Sequence, residues 1–254
     1  RHAADSKLRR WRRGTRTWRN GRRCGILGPT GAHAGRKENR IVANWAPYLL
    51  CAVAVAGLLW AEWRGSRRGL WLAKPLASLA FIWAGVAAGA LDSAYGQWVL
   101  AGLVLCLLGD VLLIPLERPA VFRAGVFAFL LGHVAYSAAF VTQPLDVFGL
   151  AAGAIVLAVV VYGVLRWLGT SLPADMVWPV RIYMVVIGVM STLACGVSAA
   201  GGPWAVAVGA LAFTASDVSV ARDRFVQQEF LNRAWGLPLY YGAQLLIAST
   251  PALV

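Results

Sequence analysis

Between residues 45 and 253 the chain passes through eight apolar stretches, about 45–61, 72–91, 98–116, 123–141, 147–165, 176–199, 203–221 and 235–253. Each is close to the roughly 17–25 residues that an α-helix needs to cross a bilayer. The punctuation between them is short: EWRGSRRGLW, DSAYGQ, ERPAVFR, TQPLD, RWLGTSLPAD, AGGP and RDRFVQQEFLNR. Loops of this length force neighbouring helices to run antiparallel. The expected fold is therefore all-α, a multi-pass transmembrane bundle of eight helices over residues 41–254. Composition agrees, since 14% of the residues are charged, against about 25% in an ordinary soluble domain. Gly85/Gly89 and Gly149/Gly153 are small-xxx-small pairs that let helices approach closely.

The net charge of +13 is unevenly distributed. Residues 1–40 hold 13 Lys/Arg against Asp5 and Glu38, whereas residues 41–254 hold 11 against nine acids. The first segment is basic and Gly-rich, without an apolar period, and no apolar region directly follows its charges, so it does not read as a secretory signal. It is expected to be a disordered basic tail, an extension or read-through upstream sequence. A dense basic arm could also hold anionic lipid or nucleic acid, although no nucleic acid partner is expected here. In the rest of the chain, the first, third, fifth and seventh loops carry nine Arg (64, 67, 68, 118, 123, 166, 222, 224 and 233), and the other loops carry none. Positive charge is retained in the cytoplasm, so these loops are expected inside and both termini outside. The tail's charge argues the other way, but the loop charges are spread over four loops and carry more weight.

Metal and nucleotide chemistry find no support. Cys24 lies in the tail, while Cys51, Cys106 and Cys195 sit singly in apolar runs as packing residues. His133 is the one histidine outside the tail, and a zinc or di-iron site wants several ligands at close spacing. No G-x-S-x-G, P-loop or dinucleotide fingerprint is present, so no cofactor is expected.

Five ionisable groups remain in or at the ends of the spans: Lys74, Asp110, His133, Arg181 and Asp217. A charge in the membrane is costly and marks a functional site by default. Lys74 opens the second run and Arg181 lies early in the sixth. Asp110 stands six residues before the end of the third run and Asp217 four before the end of the seventh. These four share the cytoplasmic third of the bilayer, with His133 deeper and Tyr136 one turn on from it. Structural ion pairs are one reading, and snorkelling of the two cations is another. Two carboxylates crowded at low dielectric, however, form an acid/base pair in which one holds a proton and the other does not. Tyr183, Ser216, Tyr240, Tyr241 and Gln244 supply polar neighbours for a cavity. An internal repeat at an offset of 107 residues aligns Gly102 and Asp110 with Gly209 and Asp217, and Lys74 with Arg181. Residues 41–254 then read as two four-helix parallel repeats with one Asp each.

At these residues the sequence resembles the YhhN-like membrane proteins that include the TMEM86-type lysoplasmalogenases. The resemblance covers about residues 45–253 and leaves the tail out. It rests on Lys74-Pro75-Leu76, GLVLCLLGDVLLI around Asp110, FAFLLGHVAY around His133, PVRIYMVVIGVM, GALAFTASDVSVARDRF around Asp217 and YYGAQLLIAS. It implies an integral membrane hydrolase, in a bacterial cytoplasmic membrane, that cleaves the vinyl ether bond of a lysophospholipid to a fatty aldehyde and a glycerophospho-headgroup. Asp110 and Asp217 would be catalytic. Lys74 and Arg181 would hold the substrate phosphate, with His133, Tyr136, Tyr183, Ser216, Tyr240 and Gln244 around the substrate and no metal or cofactor. A small proton-coupled transporter using the two Asp as a relay, or a non-catalytic lipid-binding membrane protein, are the other readings of the same residues.

Overall fold

The computed structural model describes residues 45–115, 118–169 and 171–254, and the expected tail over 1–40 lies outside them. Among the described residues there are eight long α-helices and no strand: α1 Trp45–Arg64, α2 Arg67–Ala87, α3 Ala94–Leu112, α4 Pro119–Phe140, α5 Val147–Leu168, α6 Val177–Ala199, α7 Trp204–Phe225 and α8 Phe230–Ser249. Short 3₁₀ turns precede α6 at Ala174–Met176 and follow α8 at Thr250–Ala252.

Local chemistry sets the helix boundaries. The hydroxyls of Ser66 and Ser93 accept the backbone N–H groups of Gly69 and Gly96 at the starts of α2 and α3, and the Asp146 carboxylate accepts that of Gly149 at α5. Such N-caps occupy donors that the first helical turn leaves free. Between α1 and α2, Gly65 adopts φ 62°, and the N–H of Ser66 reaches back to the Ala61 carbonyl. This left-handed reversal suits glycine, and it leaves Glu62 at the end of α1 beside the first residues of α2. Gly149 and Gly153 form a smooth strip of α5 against Ala199 and Cys195 of α6. Gly85 likewise lies against Leu103 of α3, but Gly89 has left the helix with φ 84° and serves a turn instead.

Contacts between helix ends show the chain alternating in direction. Lys74 near the start of α2 meets Asp110 at the end of α3, and Arg233 near the start of α8 meets Glu62 near the end of α1. At the other end Tyr95, in the first turn of α3, donates to Thr250 just after α8. One end of the bundle thus collects the Arg-bearing loops. We call it the basic end.

Seven of the helices are long and apolar enough to cross a membrane, and α8 is not among them. The tryptophans mark both ends of the crossing. All ten in residues 45–254 are exposed, with Trp60, Trp63, Trp71, Trp167, Trp178 and Trp235 toward the basic end and Trp45, Trp83, Trp98 and Trp204 toward the opposite end. A water-soluble core would bury such large rings; two exposed girdles are what membrane interfaces favour. Polar α8 is tolerated because it is central, packing on α1, α2, α3 and α7. Its polar side chains Asn232 and Gln244 are buried inside the bundle.

The helix pairings repeat as well. α1–α2, α2–α3 and α3–α4 recur as α5–α6, α6–α7 and α7–α8, and α2–α8 has its counterpart in α6–α4. Gly102 of α3 packs on Tyr136 of α4, and Gly209 of α7 packs on Ala243 and Ile247 of α8. One pairing breaks the pattern: α1 packs on α8, but α5 has no comparable contact with α4. Accordingly, Gly153, Leu157 and Leu168 are the buried residues of α5.

Candidate active site

A cavity of ≈ 1300 Å³, counted to its open mouth, lies toward the basic end and takes residues from all eight helices. Both intramembrane carboxylates line it. Asp110 Oδ2 accepts hydrogen bonds from the hydroxyls of Ser78 at 2.7 Å and Tyr240 at 2.8 Å, and Lys74 Nζ stands 3.6 Å from Oδ1. The amide of Gln244 donates to the Tyr240 oxygen at 3.1 Å, and Tyr136 donates to the Gln244 carbonyl at 2.7 Å. Every donor in this chain points toward Asp110. An ammonium and a line of aligned dipoles of this kind suit a carboxylate that carries its negative charge.

Asp217 has a different setting. Tyr183 donates to its Oδ2 at 2.8 Å, and His133 Nε2 lies 3.7 Å from the same oxygen. The His133 ring is fully buried, and its Nδ1 is 2.6 Å from the Phe129 carbonyl. A carbonyl only accepts, so Nδ1 carries hydrogen, and in the neutral ring Nε2 is left as an acceptor. That nitrogen has no hydrogen-bond partner among the described residues. An ionised Asp217 would set two acceptors facing each other across 3.7 Å, whereas one proton shared between them removes the conflict. The Asp217 side chain is 15% exposed and that of Asp110 is 3% exposed, so Asp217 is the more accessible from the cavity.

The two carboxylates belong to one aromatic scaffold. Phe213 of α7 packs edge-on against Tyr240, 5.2 Å between centroids, and against the His133 ring at 4.6 Å. It therefore touches the residue that donates to Asp110 and the residue that faces Asp217. Tyr240 and His133 are themselves separated by the repeat offset of 107. Each half contributes one Asp and lends a side chain from its fourth helix to the other half's Asp.

Lys74, Tyr183, Ser216 and Tyr240 line the cavity with the two Asp. Tyr136, His133 and Gln244 do not; they stand one layer behind and reach the cavity through Tyr240 or Asp217. Arg181 is not at the site. It is exposed, with its guanidinium 5.4 Å from the Trp178 ring centroid. The cavity face of α6 carries Val180, Tyr183 and Met184, and two residues from Tyr183 is about 200° of helix rotation. The repeat that pairs Lys74 with Arg181 does not extend to their surroundings.

Several lining residues were not singled out in the sequence. The seventh and eighth apolar runs mark the span, but α7 continues to Phe225 and α8 begins at Phe230. Asp223, Arg224, Asn232 and Arg233 therefore sit on helices at the cavity mouth, where the sequence shows only a charged loop. The same drift in boundaries puts Asp110 in the last turn of α3 and Asp217 two turns inside α7. Ser78 was within reach of sequence reasoning, being one helical turn from Lys74.

The model of the YhhN family matches residues 69–250, which includes both Asp and every residue that lines the cavity except Glu62. The chain belongs to the YhhN family. It is also similar to proteins from other organisms. A protein named lysoplasmalogenase TMEM86A from Bos taurus is 33% identical over 157 residues, 59% of this chain and 63% of that one. Lysoplasmalogenase TMEM86B from Sus scrofa is 34% identical over 214 residues, 82% of this chain and 86% of its own. A lysoplasmalogenase from Mycobacterium tuberculosis is 31% identical over 162 residues, 60% of this chain and 59% of that protein. With the cattle protein, the match thus spans a little under two thirds of the relative's length. No solved structure matches the chain. Family, apolar helices and tryptophan girdles together make this YhhN protein an integral membrane protein.

Proposed function

We propose that this protein is a membrane hydrolase that cleaves the vinyl ether bond of a lysoplasmalogen-like lysophospholipid, with Asp217 as the acid and Asp110 as the base. The observation that carries the reading is the pair of unlike carboxylates in one cavity, one beside an ammonium and two hydroxyl donors, the other beside an unpartnered histidine nitrogen. The names of the relatives agree with it. Phe122, Val126 and Phe129 of α4 with Val180 and Met184 of α6 form an apolar wall for the hydrocarbon chain, and the polar mouth suits the headgroup. The nine Arg gathered at that end support a mouth on the cytoplasmic side, in what we take to be a bacterial cytoplasmic membrane.

The chemistry follows from the bond. A vinyl ether is protonated at its β-carbon, which leaves an oxocarbenium ion on the ether oxygen side. Asp217 gives that proton, and the negative charge of Asp110 stabilises the cation. Water then adds to the cationic carbon as Asp110 takes its proton. The resulting hemiacetal collapses to the aldehyde and the glycerol hydroxyl, so one water is consumed overall. The two acids share this work as a pair of carboxyls does in sugar hydrolysis, and return of the proton from Asp110 to Asp217 resets the site.

Purified protein in detergent should release fatty aldehyde from a lysoplasmalogen. Asp110→Asn and Asp217→Asn should each lower kcat by at least about 100-fold, the lower end for a general acid–base group, with unchanged expression and detergent-phase elution. No aldehyde from the wild-type protein, or normal turnover by both variants, refutes the reading.

A further inference from the structure

The cavity mouth holds a set of charges that the acid–base chemistry leaves unused. Arg233 of α8 binds two carboxylates at once, Glu62 Oε2 of α1 at 3.1 Å and Asp223 Oδ2 of α7 at 3.0 Å. These are partly buried groups, with side-chain exposures of 23%, 16% and 14%. One guanidinium between two carboxylates leaves a surplus negative charge. Asp223 is satisfied on both oxygens, because its Oδ1 accepts from the Glu229 backbone N–H and the Asn232 amide, each at 3.2 Å. Glu62 has one oxygen on Arg233, and its other oxygen has no partner among the described residues. Next to Asp223 in the chain, Arg224 also lines the cavity; it has no ion-pair partner among the described residues. Its guanidinium lies 4.3 Å over the Phe122 ring, which covers one face and leaves the donor edge exposed. Arg222, by contrast, is neutralised by Glu229 at 3.3 Å. The mouth thus offers one open cation and one surplus anion, both lining the same cavity.

We propose that this mouth is a headgroup site for a zwitterionic phosphate ester, in which Arg224 binds the phosphate and Glu62, held in place by Arg233, accepts a primary ammonium. It rests on the vinyl ether reading above and names what that substrate carries at its polar end. A guanidinium fork matches phosphate oxygens in geometry as well as charge. A primary ammonium donates hydrogen bonds that a free carboxylate oxygen takes up. A trimethylammonium group has none to donate and favours an aromatic cage, and Phe122 is already covered by Arg224. The site therefore prefers phosphoethanolamine to phosphocholine. Arg224 takes the phosphate role that the sequence assigned to Arg181.

The test compares aldehyde release by wild type, Arg224→Gln and Glu62→Gln. Three vinyl ether lysolipids in mixed micelles are used, bearing phosphoethanolamine, phosphocholine or phosphate alone. Arg224→Gln should raise KM about tenfold or more on all three with kcat within about twofold, as expected for loss of one hydrogen-bonded charge pair. Glu62→Gln should raise KM by a similar factor for phosphoethanolamine, by less than about twofold for phosphocholine, and lower it for phosphate alone. Loss of kcat on all substrates in Glu62→Gln would point to a mouth that no longer folds; Glu62→Asp, which keeps the charge, should then retain the wild-type order of the three KM values, and a changed order overturns the proposal. Unchanged KM in Arg224→Gln, or equal effects of Glu62→Gln on the two amine headgroups, also overturns it. If wild type releases aldehyde from none of the three, the hydrolase reading falls and takes this site with it.

Discussion

His133 shows how much one ring orientation decides. Its Nδ1 is held by a backbone carbonyl of its own helix, so the side chain cannot turn to offer a donor to Asp217 without breaking that bond. In the proposed mechanism it acts through Asp217, sharing a proton with it and fixing where that proton points. His133→Phe fills the same space without an acceptor and should lower kcat by about 2–10-fold, the range for one neutral proton-sharing contact. His133→Gln, whose amide oxygen accepts, should recover part of the loss. Equal activity of the two variants would show that the ring only fills space. The Asp110→Asn/Asp217→Asn double variant should be little slower than the worse single one, because groups that act as a unit are not additive. The sequence exposed Asp110, Asp217 and His133 because any ionisable group stands out in an apolar run. Which side chain meets which Asp was hidden, since it depends on the rotation of α4 and α8 about their axes.

At the scale of elements, the α7–α8 hairpin makes the site. Gly236 of α8 stands so close to α7 that a Cβ there would lie 1.8 Å from Ser219 Oγ and 2.7 Å from its Cβ. Gly236→Ala should therefore push the hairpin apart and destabilise the protein by about 1–3 kcal/mol, the usual range for overpacking. Adding Ser219→Gly should restore most of this, since residues in contact couple. Thermal unfolding in detergent reads both; a neutral Gly236→Ala would show that the helices are not held this close. Helix number was legible because each apolar run has a bilayer's length. Helix ends were not, because a helix continues past the hydrocarbon for as long as its own backbone bonds hold. Asp223 to Arg233 were read as punctuation for that reason.

For the whole molecule, two four-helix halves close around a shared cavity, and its mouth faces the end rich in Arg. A single cysteine at residue 67, in a background lacking Cys24, Cys51, Cys106 and Cys195, should react with a membrane-impermeant maleimide only after cells are permeabilised. Reaction in intact cells would reverse the orientation. The repeat was traceable in the sequence at Gly102/Gly209 and Asp110/Asp217, where small and charged residues leave few substitutes. It was invisible at His133/Tyr240, whose side chains differ in chemistry although each crosses to the other half's Asp. The failed counterpart, α5 against α4, leaves α5 at the edge of the bundle, where α6 and not α5 packs on α4.

The polarity of α8 also bears on how the protein is made. A segment that carries Asn232, Arg233 and Gln244 and falls short of the apolarity of the other seven helices has little reason to leave the translocation channel for lipid unaided. Its partner faces are supplied by α7, already synthesised and separated from it by a few residues. Insertion of α7 and α8 as one hairpin is therefore expected, and the cavity lacks one wall until α8 has followed α7.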